Sequence, residues 1–413
     1  MHTLIKPFRA LRPATGQAAA VAAPPYDVLN TEEARAQARG RPASFLHISK
    51  PEIDLPEGTD PYSPAVYAKG MANLQRLIGD GVLVRDEQPR YYIYQLRMGE
   101  HEQTGIACIG SVVEYDRNRI RKHEFTRPDK EDDRVRQITA LNAQTGPVLL
   151  AYRSNPELKL IIREHLRETP AFGATTVDGV GHSVWVVTGR EHISAITRIF
   201  DAMDSLYIAD GHHRSAAASR VAATRGQGNP RHSGDLDYNY FLCVAFPHDE
   251  MRILDYNRVV RDLNGLSTAD FLVTIARHFQ VTPANRQARP ARPGQFGMYL
   301  GGQWYALDIR PDLIPKDPVA SLDVSLLQEH LLAPVLGIGD PRRDKRIDFV
   351  GGIRGLGELE RRVDSGEMAV AFALFPTSLD ALMAVADANQ VMPPKSTWFE
   401  PKLADGLLSH VLD

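Results

Sequence analysis

Cysteine is scarce in this chain of 413 residues, which contains only Cys108 and Cys243. Two cysteines are too few for a disulfide scaffold or for a cysteine-rich metal site. Each lies within an apolar run, GIACIGSVV and YFLCVAF. We therefore expect both thiols to be buried in strands, where they act as small apolar side chains.

The chain also has no excess of positive charge, because it contains 48 lysine and arginine residues and 51 aspartate and glutamate residues. With a net charge of −3, the chain has no overall basic field to hold nucleic acid through its phosphates, although a local basic patch stays open. No apolar run reaches the roughly 18 residues of a membrane span, and MHTLIKPFRALRP contains no signal-peptide core. We predict a soluble, cytoplasmic protein without a membrane partner.

The usual nucleotide and hydrolase motifs are absent as well. The chain contains no GxxxxGK[ST] loop, no GxGxxG after a strand and no GxSxG elbow. Lys395-Ser396-Thr397 resembles the end of a phosphate loop, but Met392-Pro393-Pro394 stands where the glycines would be. A phosphate site in this chain must therefore be of another kind.

Predicted strands and helices alternate irregularly, which favours an α+β fold with mixed sheets. LNTEEARAQARG predicts a helix capped by Asn30 or Thr31, SFLHIS predicts a strand, and FGMYLGGQWYALDI predicts a hairpin. A helix at LSTADFLVTIARHFQV followed by the loop PANRQARPARPGQ marks a boundary. We therefore predict domains at residues 1–265 and 266–413.

The most informative segment is SLYIADGHHRSAAASRVAATRG. It predicts an apolar strand, a turn and an alanine-rich helix, an arrangement that aims backbone N–H groups at an anion. Gly211 permits close approach of a ligand, and Arg214 offers a planar fork for phosphate oxygens. His212 and His213 can donate to phosphate or carry protons, and Ser215 lies at the cap or first turn of the helix.

The segment therefore predicts a phosphate-binding turn. Helix capping without a ligand is one alternative. A histidine metal site is another, which is disfavoured because adjacent histidines on a turn point in different directions and no HExxH pair is present.

Three other segments combine polar groups in an unusual way. Asp27 follows two prolines and Tyr26, and it is either a helix cap or a catalytic carboxylate. The stretch 123–134 mixes both charge signs around one proline, so it is either a solvated surface or a functional loop. KSTWFEPK near the C-terminus is either ordinary surface or an ordered segment that folds back on the site, where Lys395 contacts phosphate.

As a functional loop, the stretch 123–134 supplies a general base and carboxylate ligands for Mg²⁺ beside positive phosphate contacts. The candidates for these roles are Glu124 as base, Asp129 and Asp132 as metal ligands, and Arg127 and Lys130 as phosphate contacts.

Taken together, IKPFRALRP, PPYDV, SFLHISKPEIDLP, KHEFTRPDKEDDR, IADGHHR and MPPKSTWFEPKL resemble a widespread bacterial and archaeal family of unknown function, DUF1015. The resemblance covers nearly the whole chain. Through the DGHHR turn the chain also resembles the ParB/sulfiredoxin-like superfamily. The resemblance implies a nucleotide-binding core of that type with a C-terminal α+β extension.

In that superfamily the comparable turn binds nucleotide phosphates ahead of a helix. The resemblance implies that residues 211–214 cradle the phosphates of ATP or ADP, while Asp210 orients the turn or a metal ion. Sulfiredoxins carry a cysteine in this turn, and this chain has none there. Partition proteins of the superfamily carry a DNA-binding helix-turn-helix and a basic surface, for which we find no clear counterpart.

The free L-serine kinases of the superfamily use a carboxylate base from an N-terminal segment. Asp27 is the nearest match here, and Glu124, Asp129 and Asp132 are competitors. His213 is a further candidate for a catalytic role.

The resemblance thus implies a small-molecule kinase, a nucleotide-dependent phosphotransferase that acts on a small hydroxyl metabolite, with free L-serine the first substrate and Mg²⁺ bridging the phosphates. A nucleotide-binding regulatory sensor with slow or no hydrolysis is the alternative, and the charge balance disfavours a nuclease or DNA-binding module. The expected partners are a nucleotide and a small substrate, without nucleic acid. The sequence does not decide between a monomer and a homodimer.

Overall fold

The computed structural model describes residues 3–413, which form two compact units. Unit 1 extends from the first described residue to Met251 and also includes Pro401–Asp413. Unit 2 comprises Arg252–Glu400. The C-terminal segment thus belongs to the same unit as the N-terminal half of the chain.

Both units contain helices and strands, numbered here along the chain. The helices are α1 (Ala18–Val21), α2 (Thr31–Ala38), α3 (Leu46–Ser49), α4 (Pro64–Gly79), α5 (Val112–Asp116), α6 (Pro128–Leu141), α7 (Pro156–His165), α8 (Arg190–Asp201), α9 (His212–Gly228), α10 (Thr268–Ile275), α11 (Asp323–Leu327), α12 (Leu356–Asp364) and α13 (Leu379–Asp387). The strands are β1 (Ile5–Lys6), β2 (Leu11–Pro13), β3 (Leu83–Arg85), β4 (Tyr91–Met98), β5 (His101–Ser111), β6 (Ile120–Arg121), β7 (Ala143–Gln144), β8 (Val148–Tyr152), β9 (Phe172–Thr175), β10 (Gly181–Val187), β11 (Leu206–Asp210), β12 (Tyr240–Pro247), β13 (Ile253–Leu254), β14 (Tyr256–Val260), β15 (Phe279–Ala284), β16 (Gln295–Leu300), β17 (Gln303–Ile309), β18 (Ile347–Gly351), β19 (Val370–Leu374), β20 (Trp398–Phe399) and β21 (His410–Val411).

Unit 1 is built on a nine-stranded sheet in the order β6-β11-β8-β12-β5-β4-β10-β9, with β1 paired to β5. The pairs β11–β6 and β12–β8 are parallel, and the remaining pairs of this sheet are antiparallel. Mixed pairing in a sheet that packs against helices confirms the predicted α+β class.

The main core of unit 1 lies between this sheet and the apolar faces of α7, α8 and α9. Ala217, Ala218 and Val221 are the buried face of α9, and their small side chains allow the helix to pack close to the strands. Cys108 on β5 lies opposite Cys243 on β12 in the strand register, and both side chains are fully buried, as the apolar runs around them predict.

A second core of unit 1 is formed by the N-terminal helices. Asn30 caps α2 with a complete capping box to Glu33, as predicted. The strand predicted for SFLHIS is wrong, because Leu46–Ser49 is a short helix whose apolar side chains pack in this core. A short apolar run is compatible with either element, and here tertiary packing decides between them.

Unit 2 contains a six-stranded antiparallel sheet in the order β15-β17-β16-β19-β14-β18. The predicted hairpin is present as β16 and β17, joined at Gly301 and Gly302, which both have positive φ. The core of unit 2 lies between this six-stranded sheet and α12. Among residues 3–413, no helix has the length and apolarity required to cross a bilayer.

Candidate functional site

The turn between β11 and α9 has the predicted strand–glycine–helix arrangement. β11 ends at Asp210, Gly211 has φ +101°, and α9 begins at His212. The amides of Arg214 and Ser215 donate to the Gly211 carbonyl at 2.9 and 3.0 Å. The amides that precede them have no acceptor within the helix, which is the general property that makes a helix start attractive to anions.

Gly211 is required at this turn both by its conformation and by its surroundings. A Cβ atom there would lie 3.3 Å from Cα of Val148 and 3.1 Å from Nε of Arg214. A positive φ of this size also strains any residue with a side chain. The close approach of the turn to β8 therefore depends on glycine.

Asp210 lies between two cations. Its Oδ2 atom is 3.3 Å from Nη2 of Arg214 and 3.4 Å from Nζ of Lys402. Burial alone would raise the pKa of Asp210, but Lys402 and Arg214 together hold that pKa well below its usual range. The carboxylate is thus charged and fixed at the end of β11.

The first two histidines of α9 are connected to the loop after β6. The His123 amide donates to Nε2 of His212 at 3.4 Å, and the Arg127 amide donates to Nε2 of His213 at 3.0 Å. Burial lowers the pKa of both α9 imidazoles, so both are uncharged at neutral pH. The loop and the helix start therefore form one structural feature.

His123 is buried beside His212. Its side chain is 2% exposed, and the two rings are nearly perpendicular with centroids 4.5 Å apart. Neither ring nitrogen of His123 has a hydrogen-bond partner of acceptable geometry, although the Ile208 carbonyl is close by. Burial lowers the pKa of His123 to about 4.

Glu124 lies on the solvent side of this histidine pair. Its Oε2 atom is 3.9 Å from Nδ1 of His212, and its side chain is 47% exposed. Among residues 3–413, His123, Glu124 and His212 form the one group of three potential metal ligands, with donor atoms within 4.8 Å of one another.

An outer cleft of about 310 Å³ opens next to this group. We use this name for the space lined by Tyr115, Lys122, Glu124, Thr126, His212 and Arg220, among others. It contains both cationic and anionic side chains, and it extends along the first turns of α9.

A separate inner cavity of about 30 Å³ is lined in part by Arg214. It is lined by Tyr26, Arg134, Arg214 and Asp405, among others. Arg134 stacks over the Tyr26 ring with 3.8 Å between its Cζ atom and the ring centroid. Burial raises the pKa of Asp405 to about 7, against the effect of Arg214, and its Oδ1 atom has no hydrogen-bond partner.

Asp27 is exposed and lies near this inner cavity. It belongs to a short 3₁₀ turn, Tyr26–Val28, and it is not the cap of α2. Its charge raises the pKa of Arg214 and that of Asp405, which places its carboxylate close to both groups. Two of the predicted base candidates therefore lie in different places, with Asp27 toward the inner cavity and Glu124 at the outer cleft.

Several other predicted residues are engaged with protein partners. The carboxylate of Asp129 binds Arg127 at 2.8 Å, and that of Asp132 binds Arg220 at 2.7 Å. Nζ of Lys130 donates to the Tyr62 hydroxyl at 2.9 Å.

The remaining two predicted residues are placed differently. Ser215 is fully buried and its hydroxyl donates to the His212 carbonyl at 3.1 Å. Lys395 belongs to unit 2, where its ammonium lies 5.6 Å from the centroid of the Tyr256 ring. Their assignment to nucleotide binding stays a prediction.

Four residues of the site have no assigned role in the sequence analysis. These residues are His123, Arg134, Lys402 and Asp405. The first two lie within the charged stretch 123–134, and Lys402 ends the segment KSTWFEPK, so unusual composition marks their neighbourhoods. Nothing in the local sequence distinguishes Asp405, because its role depends on burial beside Arg214.

Several solved structures are similar to this chain at low identity. A conserved hypothetical protein from Pyrococcus furiosus is 13% identical, with 72% of this chain and 93% of that chain covered and a TM-score of 0.35. A free serine kinase in complex with AMP is 12% identical, with 73% and 92% covered and a TM-score of 0.35. SbnI from Staphylococcus aureus with a C-terminal truncation is 11% identical, with 72% and 85% covered and a TM-score of 0.38. These similarities are too weak to assign a fold or an activity.

The comparison of sequences is more decisive. No curated protein matches the chain. The family model described as "Protein of unknown function (DUF1015)" matches residues 5–325, which is more than half of the chain and includes the turn at Gly211. The chain therefore belongs to the DUF1015 family.

Proposed function

We propose that this protein is a phosphotransferase that uses ATP or ADP to phosphorylate a small hydroxyl metabolite, with free L-serine as the first candidate. The observation that carries the proposal is the strand–glycine–helix turn at Gly211, where a residue of positive φ packs on Val148 directly before α9. A nucleotide phosphate is the anion that fits a helix start of this kind next to a cleft.

The charges around the turn support phosphate binding. Lys402 and Arg214 hold Asp210 in a fixed position, so the end of β11 is ordered without a ligand. Lys122 and Arg220 line the outer cleft beside His212, and Arg220 is held there by Glu131 and Asp132. Cations in fixed positions stabilise the charge of a phosphoryl group during transfer.

We assign the role of general base to Asp27, a carboxylate of the N-terminal segment. It is exposed, and it lies near Arg214, which reaches toward the turn. Glu124 faces His212 instead, at 3.9 Å. A general base reaches the substrate hydroxyl directly or through one water, and the exposed side chain of Asp27 allows either.

The residues predicted to bind Mg²⁺ do not fit that ion well. Asp129 and Asp132 each bind an arginine, and no third carboxylate joins them within residues 3–413. Mg²⁺ that enters with the nucleotide is held largely by phosphate oxygens and water, so it needs few protein ligands. The residues of this chain therefore act on the phosphates and the substrate, not through a dedicated magnesium site.

A direct assay of product tests this proposal. Purified full-length protein is incubated with ATP or ADP, Mg²⁺ and L-serine or other small hydroxyl compounds, and O-phosphorylated products are measured by ³¹P NMR and mass spectrometry. We expect product with wild-type protein and with Lys316→Ala, an exposed control in unit 2. We expect loss of product with His213→Ala and with Arg214→Ala.

Two results would count against the proposal in different ways. Nucleotide binding without any acceptor-dependent turnover would favour a nucleotide sensor. Failure of the folded protein to bind either nucleotide would overturn the assignment of the turn itself.

A further inference from the structure

The loop after β6 and the first residue of α9 bring two imidazoles and one carboxylate together. His123 and Glu124 come from the loop, and His212 comes from the helix. The donor atoms of the three side chains lie within 4.8 Å of one another. The carboxylates of Asp129 and Asp132, in contrast, lie outside this group and bind arginines.

One of the two buried imidazoles of this group has an unsatisfied hydrogen-bonding capacity. His123 is 2% exposed, and both of its ring nitrogens have no partner of acceptable geometry among the described residues. A buried polar group without a partner costs free energy, and binding of a metal ion by that group offsets the cost. The ring lies against His212, the second nitrogen ligand of the group.

The donor set selects the kind of ion. Imidazole nitrogen suits zinc and the other first-row transition metals, whereas Mg²⁺ and Ca²⁺ prefer oxygen ligands. Two histidines and one glutamate are also the protein ligands of several zinc sites that keep a position open. We infer that His123, Glu124 and His212 bind one divalent transition-metal ion of the zinc class beside the start of α9.

The separations fit such a site with small movements. Ligand atoms about 2.0–2.2 Å from one tetrahedral ion lie about 3.3–3.6 Å from one another. The His212 Nδ1 to Glu124 Oε2 distance of 3.9 Å exceeds this range by only a few tenths of an ångström. Glu124 is 47% exposed, so its side chain can move toward the two imidazoles without disturbing the core.

Metal binding through Nδ1 of His212 has a consequence for its other nitrogen. A neutral imidazole carries one proton, which must then be on Nε2. In the present structure Nε2 accepts the His123 amide at 3.4 Å, a long contact that must open when Nε2 becomes a donor. Binding of the ion should therefore change the environment of the His123 amide.

The open coordination positions would face the outer cleft. Glu124 and His212 both line that cleft, so an oxygen ligand in the cleft can reach an ion held by them. A phosphate oxygen or water is the class of ligand that such a position takes. The metal site stands on its own geometry, and it does not require the proposed phosphotransfer.

The test uses full-length protein freed of metal by chelation, without nucleotide. Zn²⁺ is titrated by calorimetry, Co²⁺ binding is followed by visible absorption, and metal content is measured after dialysis. We expect one Zn²⁺ per chain, no comparable binding of Mg²⁺, and an absorption band for Co²⁺. His123→Gln, Glu124→Gln and His212→Gln should each weaken Zn²⁺ binding at least tenfold.

His213→Gln is the matched control, because His213 is adjacent to His212 and lies outside the group of three. It should bind Zn²⁺ as wild type does.

Circular dichroism checks that each variant is folded. If the variants of the buried histidines do not fold, the exposed Glu124→Gln variant alone shows whether this group binds Zn²⁺. Absence of stoichiometric Zn²⁺ binding in wild type, or equal binding by Glu124→Gln, would overturn the inference. Loss of kinase activity alone would leave it standing, so the two proposals fail separately.

Discussion

Nζ of Lys402 lies 3.4 Å from Oδ2 of Asp210, so the C-terminal segment contributes a charge to the turn that begins α9. The two residues are separated by 192 positions in the sequence. Arg214 reaches the same oxygen at 3.3 Å. The position of the turn therefore depends on residues from both chain segments that make up unit 1.

Lys402→Met tests this dependence. Removing one cation leaves the Asp210 carboxylate with Arg214 alone, and loss of one partner from a half-buried pair costs about 1–3 kcal/mol in the free energy of unfolding. We also expect nucleotide affinity to fall about tenfold. Calorimetric titration and urea unfolding measure the two effects, with Lys316→Met as the exposed control. Unchanged affinity in a folded Lys402→Met variant would contradict the role given to this lysine.

Gly211→Ala tests the geometry of the turn. A side chain at φ +101° is strained, and its Cβ would lie 3.3 Å from Cα of Val148, so we expect destabilisation of about 1–3 kcal/mol and loss of nucleotide binding. Gly228→Ala at the end of the same helix is the control, because its Cβ would meet no atom within 4 Å and its φ is not positive. Equal unfolding free energies for the two variants would show that the turn is not constrained as described.

Asp405→Asn tests the electrostatics of the inner cavity. Burial raises the pKa of Asp405 from 3.8 to about 7, so the native state holds this proton more tightly than the unfolded chain does. The contribution of Asp405 to the free energy of unfolding should therefore be fully present below about pH 4 and should be lost as the pH rises to about 7.

The asparagine variant cannot lose this proton. The unfolding free energy of Asp405→Asn relative to wild type should therefore rise between pH 4 and pH 8, by up to about 4 kcal/mol. Urea unfolding at several pH values measures the difference, and Glu57→Gln is the control for loss of an exposed carboxylate. A difference that does not change with pH would mean that Asp405 is ionised in the native state at all pH values tested.

Asp27→Asn tests the identity of the base. If Asp27 accepts the hydroxyl proton, its loss should lower turnover by about 10²–10⁴-fold with little change in nucleotide affinity. Glu124→Gln should leave a larger share of turnover, because Glu124 faces His212 and not the inner cavity. The opposite order of the two variants in a product assay would transfer the role of base to Glu124.

The parts of the fold that could be predicted from sequence depend on local signals. The strand, Gly211 and α9 follow one another within a single segment, and the Asn30 capping box is a pattern of four residues. The hairpin at Gly301 is equally local. The helix at Leu46–Ser49 was not predicted, because its short apolar run carries no period that separates helix from strand.

The parts of the site that could not be predicted depend on contacts between distant segments. Arg134 approaches Tyr26, and Asp405 lies beside Arg214, only once the sheet has formed. His123 gains its place in the group of three through the packing of a loop on α9. The sequence contains these residues in unusual segments, but spacing along the chain does not say which of them meet.

The most direct test of the account is the formation of an O-phosphorylated product from ATP or ADP and L-serine or a related hydroxyl compound, compared between wild type and Gly211→Ala. We expect acceptor-dependent product with wild type and no product when the turn cannot form. Wild-type protein that is folded and yet neither binds nucleotide nor forms product would contradict it.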